Sequence, residues 1–165
     1  MAAAAKVILI AEDNPDEVFI MSRVFGTCGL PFELRFVPNG QEAINYLERK
    51  PPYESAEKYP CPSVIVLDLK MPLINGFEVL AWLKLQPELS RIPAVVHSSS
   101  AVREDRERAG QLGARDYYVK GSAPGELVTM FKTIAEKWLN GTAPSTGAGF
   151  EWLDGPGLTT LEMRP

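Results

Sequence analysis

The chain has 165 residues, of which 45% are hydrophobic and 23% charged, a composition that suits one compact domain with a substantial core. The net charge of -4 and the pI near 5.1 argue against binding to nucleic acid, because proteins that bind the DNA backbone usually present a basic patch. No apolar run approaches the ~20 residues of a membrane-spanning helix. Because the two cysteines also form no metal or disulfide pattern, we expect a cytoplasmic protein with protein partners and no membrane association.

Short apolar runs alternate with helix-prone segments along most of the chain. The predicted strands are 7–11, 32–37, 64–67, 92–96 and 116–119, and the predicted helices are 15–27, 40–49, 75–85, 102–110 and 124–139. Strands that are almost entirely apolar are typical of a parallel sheet with helices on both faces. The pattern therefore predicts an α/β fold: a doubly wound, flavodoxin-like (βα)5 three-layer sandwich with a five-stranded parallel sheet of order 2-1-3-4-5.

Local signals predict where two of the helices begin. Asn14 can cap a helix whose first residue is Pro15, and Glu17 stands where a capping-box residue would. The pair Asn39 and Gly40 indicates a second turn into a helix.

The C-terminal part of the chain differs from the rest in composition. Residues 140–141 form a helix stop signal, and 142–149 read as a flexible linker, so we divide the chain into a domain of residues 1–140 and a linker and apolar tail of residues 141–165. The tail carries Phe150, Trp152 and Leu153, which we expect to dock on the domain or to support a homodimer. The alternative is a disordered tail.

Acidic residues follow the first and third predicted strands. The first strand runs into Glu12 and Asp13, and the third runs into Asp68. In a sheet of this order, both strands end at the crevice where the strand order reverses, so three carboxylates converge there. Two such charges ~5 Å apart repel by about 3 kcal/mol at an effective dielectric constant of 20, which a cation would relieve. The oxygen-only donor set favours Mg²⁺ over zinc.

A hydroxyl and an ammonium group are predicted at the same edge of the sheet. The fourth strand leads to Ser98, and the fifth leads to Lys120. A metal, an oriented hydroxyl and a lysine around one carboxylate are what phosphoryl transfer onto that carboxylate requires.

Four motifs in this order resemble the receiver domain of two-component response regulators. They are EDN at 12–14, DLKMP with NG following at 68–76, SS at 98–99 and YYVK at 117–120, and the resemblance covers roughly residues 5–140. It implies that Asp68 is the phosphoacceptor and Asp13 a direct magnesium ligand. It also implies that Glu12 acts on the metal largely through water, and that the backbone carbonyl of Lys70 is a third protein ligand.

The resemblance further implies a conformational switch and a partner. Ser98 matches the hydroxyl that moves towards the phosphoryl group, Lys120 the lysine that pairs with it, and Tyr117 the switch aromatic. A sensor histidine kinase would be the donor, and a downstream protein target or a phosphotransfer protein would receive the signal. Such a protein assists its own phosphorylation and autodephosphorylation and is not an enzyme acting on a separate substrate.

The sequence departs from the family pattern at two places. Gly121 stands where the family usually has a proline after the lysine, so we expect a trans peptide bond and a more mobile loop there. The segment 50–62 is longer and richer in proline than in short receivers, and it resembles single-domain regulators that serve phytochrome-type kinases.

Other interpretations stay open beside this one. The main alternative is a phosphorylation-independent interaction module with a vestigial site, since Gly121 is atypical. An aspartyl-nucleophile phosphatase would carry a second aspartate where Lys70 stands, and a flavin module would not place acids after its first strand. His97 is expected to be an ordinary strand-end residue, and the charged run 103–108 to form a solvated helix face.

Overall fold

A five-stranded parallel sheet with helices on both faces forms the centre of the protein. The structure, a computed structural model, describes residues 6–121 and 123–139 and the backbone of 150–153 and 160–163. In chain order the elements are β1 Val7–Ala11, α1 Pro15–Thr27, β2 Glu33–Val37, α2 Gly40–Glu48, β3 Val64–Leu67, α3 Gly76–Lys84, β4 Ala94–Ser98, α4 Arg103–Gln111, β5 Asp116–Val119 and α5 Pro124–Ile134. The strand order is β2-β1-β3-β4-β5 with every pair parallel, so the predicted fold class and order are confirmed.

The hydrophobic core lies on both faces of the sheet. Every residue of β1 and β3 is buried, which explains why these strands are apolar without alternation. One face packs against α2, α3 and α4 through a cluster that includes Leu9, Ile65, Leu80, Val96 and Tyr117. The opposite face packs against α1 and α5 through Ile10, Met21, Val66, Tyr118 and Phe131. Among the helices within the described residues, none combines the length and apolar character needed to cross a bilayer.

Two predicted elements differ from the structure by more than one residue at an end. The fourth strand is shifted from the predicted 92–96 to Ala94–Ser98, because a 3-10 turn over Leu89–Arg91 comes directly before Ile92. His97 and Ser98 therefore lie inside a strand. The last predicted helix, 124–139, is α-helical only to Ile134 and continues as a π-helical turn over Ala135–Leu139.

The capping box predicted for α1 is wrong. Asn14 does cap this helix, but its side chain accepts a hydrogen bond from the backbone N–H of Asp16 at 2.9 Å, and Glu17 takes no part. A complete capping box forms instead at α3. There the Asn75 side chain accepts from the N–H of Glu78 at 2.9 Å, and the Glu78 carboxylate accepts from the N–H of Asn75 at 3.2 Å.

Three tyrosines hold the long connection between α2 and β3. The rings of Tyr46, Tyr53 and Tyr59 lie 5.1 to 5.9 Å apart between centroids. The Tyr53 hydroxyl donates to the Glu42 carboxylate at 2.5 Å. The proline-rich segment 50–62 is therefore packed onto α2.

The beginning and the end of the domain lie close together. Lys6 directly precedes β1, and its ammonium group donates a hydrogen bond to the backbone carbonyl of Leu139, the last residue of the π-helical turn. Both residues therefore lie near the amino edge of the sheet, where β1 begins.

Two short strands, which were not predicted, form part of the tail. Strands β6 Phe150–Leu153 and β7 Thr160–Met163 pair antiparallel in a sheet of their own. The predicted stop signal and linker at 140–149 and the side chains of Phe150, Trp152 and Leu153 lie outside the described residues. The domain boundary at residue 140 and the docking of the tail stay predictions.

Gly40 and Gly26 provide a matched pair of tests for this packing. The helix start predicted at Asn39 and Gly40 is confirmed, with Asn39 as the N-cap of α2, and a Cβ on Gly40 would overlap the backbone carbonyl of Ile74 and come within 2.8 Å of Val79. We expect Gly40→Ala to lower the free energy of unfolding by roughly 1–3 kcal/mol. A Cβ on Gly26, within α1, would have no atom within 4 Å. Because alanine favours the helix over glycine, Gly26→Ala should raise the free energy of unfolding by roughly 0.5–1 kcal/mol.

Urea denaturation of both variants measures these changes. A Gly40→Ala protein as stable as the unaltered chain would show that the start of α2 has room for a methyl group beside residue 74.

Candidate functional site

Three carboxylates meet where the first and third strands end. Glu12 and Asp13 follow β1, and Asp68 follows β3, its direct neighbour in the sheet. One oxygen atom from each carboxylate lies within 4.8 Å of the others. Glu12 and Asp68 are buried, whereas Asp13 is exposed. The predicted convergence of the three acids is confirmed, and the crevice is open to solvent on the side of Asp13.

Lys120 closes the crevice from the end of β5. Its ammonium group donates hydrogen bonds to Glu12 Oε2 at 2.7 Å and to Asp68 Oδ2 at 2.9 Å. The second oxygen of each acid accepts a backbone hydrogen bond: Glu12 Oε1 from the N–H of Asn14 at 3.2 Å and Asp68 Oδ1 from the N–H of Lys70 at 3.3 Å. Both buried carboxylates are thus held in one orientation.

The charges in this crevice influence one another strongly. Burial raises the pKa of Glu12, helped by the negative charge of Asp68 and opposed by the hydrogen bond and charge of Lys120. Burial alone would lower the pKa of Lys120, but its hydrogen bonds and charge interactions with Glu12 and Asp68 outweigh burial and raise it. Lys120 is therefore a permanent cation at neutral pH. The crevice thus holds three acidic side chains and one ammonium group.

The residues present fit a hard divalent cation. All three acidic donors are oxygen atoms, and Asp13 leaves a solvent-facing side where water ligands can remain, as Mg²⁺ requires. The peptide of Lys70 lies beside Asp68 because its N–H binds Oδ1. The ligand role expected for the Lys70 carbonyl stays a prediction, as does the water-mediated role of Glu12, whose carboxylate is bonded to Lys120.

A second group of polar residues lies at the end of β4, beside the acids. Ser98 is fully buried, and its hydroxyl accepts from the N–H of Ser100 at 3.2 Å. Tyr117 is also fully buried, and its hydroxyl donates to the backbone carbonyl of Ser100 at 2.9 Å. The N–H of Lys120 donates to the Ser98 carbonyl at 2.7 Å, which connects this group with the acidic crevice.

Ser100 and Arg106 were missed from the sequence. The Ser100 hydroxyl donates to Asp105 of α4 at 2.6 Å, so it joins the buried tyrosine to that helix. The prediction that 103–108 is a solvated face is wrong at Arg106, which is 6% exposed, with its guanidinium carbon 5.6 Å from the centroid of the Tyr117 ring. Ala109, three residues later and also buried, marked this as the inner face of α4.

Gly76 allows α3 to begin against the phosphoacceptor candidate. A Cβ on Gly76 would strike the backbone carbonyl of Asp68 and lie 2.9 Å from the Cα of Leu69. The N–H of Gly76 also donates to the Leu69 carbonyl at 3.1 Å. The NG that follows DLKMP in the second motif thus has a steric cause: only glycine lets the helix start this close to the loop that carries Asp68.

The chain is similar to known proteins over most of its length. A model of the response regulator receiver domain matches residues 8–132. The chain belongs to this family. Response regulator Rcp1 of Synechocystis is 34% identical over 134 residues, which are 81% of this chain and 89% of that protein.

Two solved structures of response regulators resemble the chain over more than four fifths of its length. The phosphorylated cyanobacterial phytochrome response regulator RcpA superposes with a TM-score of 0.73 at 34% identity, covering 82% of this chain and 95% of that one. The Mn²⁺-bound form of response regulator Rcp1 superposes with a TM-score of 0.72 at 32% identity, covering 86% of this chain and 99% of that one. This chain is therefore a receiver domain of the two-component signalling type, with an acidic cluster suited to a divalent metal.

His97 gives the receiver domain an acid-sensitive group in its core. Burial, helped by the charge of Lys120 and opposed by that of Asp68, lowers the pKa of His97 to about 4. The unfolded chain, with a histidine pKa near 6.5, binds the proton more tightly, so His97 stabilises the fold fully above pH ~6.5. That contribution is lost as the pH falls from ~6.5 to ~4, by up to about 3 kcal/mol.

Denaturation of wild type and His97→Leu across this pH range measures the effect. The variant should lose less stability than the wild type on acidification, because leucine fills the buried position without a proton site. Equal losses in the two proteins would show that His97 titrates normally in the fold.

Proposed function

We propose that this chain is a stand-alone response regulator that accepts a phosphoryl group on Asp68 from a partner histidine kinase with Mg²⁺ and then switches a protein-interaction surface. The observation that carries this proposal is the contact of one ammonium group, Lys120, with two of three clustered carboxylates at the ends of β1 and β3. An aspartate held in this way is reachable from solvent through the side of Asp13.

In the proposed reaction, a carboxylate oxygen of Asp68 attacks phosphorus while the bond from phosphorus to the donor imidazole nitrogen breaks. When bound, Mg²⁺ would neutralise negative charge on the phosphoryl oxygens, and Asp13, Asp68, the Lys70 carbonyl and, through water, Glu12 would hold it. Lys120 would pair with a phosphoryl oxygen in exchange for part of its present contact with Asp68. The same groups would assist autodephosphorylation, so the protein acts on itself and on no separate substrate.

The proposed switch involves Ser98, Tyr117 and α4. A phosphoryl group on Asp68 would attract the Ser98 hydroxyl, which now accepts from the N–H of Ser100. Ser100 in turn holds the Tyr117 hydroxyl and Asp105 of α4. Movement of Ser98 would therefore weaken the contacts of the buried tyrosine and bias an existing equilibrium of α4 and β5 towards a second arrangement.

The phosphoryl donor would be another protein. The only histidine of the chain, His97, is buried within β4. A kinase therefore cannot phosphorylate it, and it cannot pass a phosphoryl group to Asp68. Phe19 and Ile20 are exposed, 61% and 45% respectively, on α1, the helix that begins two residues after Asp13, and they offer an apolar contact for a protein partner. The likeness to RcpA, described as a phytochrome response regulator, supports a phytochrome-type kinase as that partner. A downstream protein target or a phosphotransfer protein would receive the signal.

The alternative is an interaction module that needs no phosphorylation. The observation in its favour is Gly121, which replaces the family proline beside Lys120. Lys120 nevertheless forms both of its ion pairs in the crevice.

Incubation of the full chain with acetyl phosphate and Mg²⁺ distinguishes these two functions. We expect mass spectrometry to detect the gain of one phosphoryl group, and Asp68→Asn to abolish it, because the amide is a poor nucleophile. Asp16→Asn is the control, since Asp16 is an exposed acid of the first turn of α1. The absence of any mass gain in the unaltered chain would support the interaction module instead.

Magnesium should raise the melting temperature of the protein. Because the cation relieves repulsion among Glu12, Asp13 and Asp68, we expect Asp13→Asn to weaken Mg²⁺ binding by about tenfold and to raise the melting temperature of the metal-free form. Melting curves with Mg²⁺ and with a chelator measure both effects, again with Asp16→Asn as control. If Mg²⁺ does not change the melting temperature of the wild type, the proposed metal site is refuted.

A further inference from the structure

A second cleft lies on the α1 and α5 side of the sheet, behind Lys120. Its volume is about 360 Å³, at the lower end of the roughly 300–1,000 Å³ that small-molecule pockets occupy. Ile20 of α1 and Leu127 and Met130 of α5 supply apolar walls. Lys120 lies at the boundary between this cleft and the acidic crevice, because it lines the first and donates hydrogen bonds into the second.

Two polar side chains line this cleft with buried atoms that lack a partner. His97 is only 5% exposed, and its Nδ1 atom has no hydrogen bond to any described residue. Glu126 Oε2 is likewise buried without a partner in the described part of the chain. Buried polar atoms in folded proteins are nearly always paired with protein or ordered water, so these two atoms take their hydrogen-bond partners from outside the described residues.

Gly121 is matched to this arrangement. Its φ angle lies outside the left-handed region, so the backbone itself does not require glycine. A Cβ at this position would instead occupy the place of the Glu126 carboxylate. Gly121, which departs from the family pattern, therefore leaves the space that the Glu126 carboxylate occupies beside the cleft.

The charges of the lining residues select the kind of ligand. Glu17 and Glu126 contribute two carboxylates, whereas the single cation, Lys120, is already paired with Glu12 and Asp68. The depressed pKa of His97 keeps its imidazole neutral at physiological pH, so one ring nitrogen can accept a hydrogen bond.

We propose that this cleft binds a small organic cation, an amidinium or primary ammonium group on an apolar body, whose N–H groups donate to Glu126 Oε2 and His97 Nδ1. The apolar body packs between Ile20, Leu127 and Met130. The site stands apart from the proposed function, because it requires neither phosphoryl transfer nor a metal.

Benzamidine is a suitable probe, with benzyl alcohol as the neutral control of similar size. Titration into the full chain with a chelator present, followed by amide chemical shifts in NMR spectra, should move the signals of Val119, Gly121 and Met130. The dissociation constant should lie in the millimolar range expected for a fragment. Benzyl alcohol should bind at least several-fold more weakly, because it carries no charge.

Substitutions of the two unpaired groups complete the test. Glu126→Gln should weaken benzamidine binding by about tenfold, because a charge-assisted hydrogen bond is lost. His97→Leu should also weaken it, while Glu104→Gln, an exposed acid of α4, should leave it unchanged. Because Glu126 is partly exposed, its variant tests the site even if His97→Leu does not fold. Absent shifts, equal binding of the neutral probe, or affinity unaffected by Glu126→Gln would each overturn the proposal.

Discussion

The ammonium group of Lys120 is the interaction on which the site depends. Asp68 and Glu12 are both buried, and each would be costly to ionise without a cation beside it. Lys120 reaches them from the end of β5, across β4 and β3, and donates to one oxygen of each acid. Three strands that are distant in sequence are thereby held to one relative position at the carboxyl edge of the sheet. Any change in the charge of Asp68 therefore alters its interaction with Lys120, at the end of β5.

Close backbone packing supports the same edge. Gly76 lets α3 begin against the carbonyl of Asp68, and Gly40 lets α2 begin against Ile74 in the loop that follows Asp68. The capping box of Asn75 and Glu78 then fixes the first turn of α3. The loop after β3 is therefore confined from two sides, and the orientation of Asp68 follows from steric limits as much as from hydrogen bonds.

The sheet and its acids could be predicted because their causes are local. Runs such as 64–67 are apolar throughout, and the carboxyl ends of neighbouring parallel strands meet whatever the helices do. The predicted start of β4 was wrong because Ile92 is as apolar as a strand residue, while its backbone N–H donates to the Leu89 carbonyl and closes the preceding 3-10 turn. Ser100 and Arg106 were missed because both contact Tyr117, which becomes their neighbour only when α4 packs beside β5. The unpaired atoms of His97 and Glu126 could not be predicted, because they depend on how the side chains are oriented in the folded protein.

The hydrogen bond between Lys6 and Leu139 has a practical meaning for the architecture. It places the first and last described residues of the domain together at the amino edge of the sheet, whereas Asp68 and Lys120 lie at the carboxyl edge. Joining residue 139 to residue 6 by a short linker and opening the chain elsewhere would leave the acidic crevice untouched. The order in which the strands are synthesised is thus separable from the chemistry that their ends assemble.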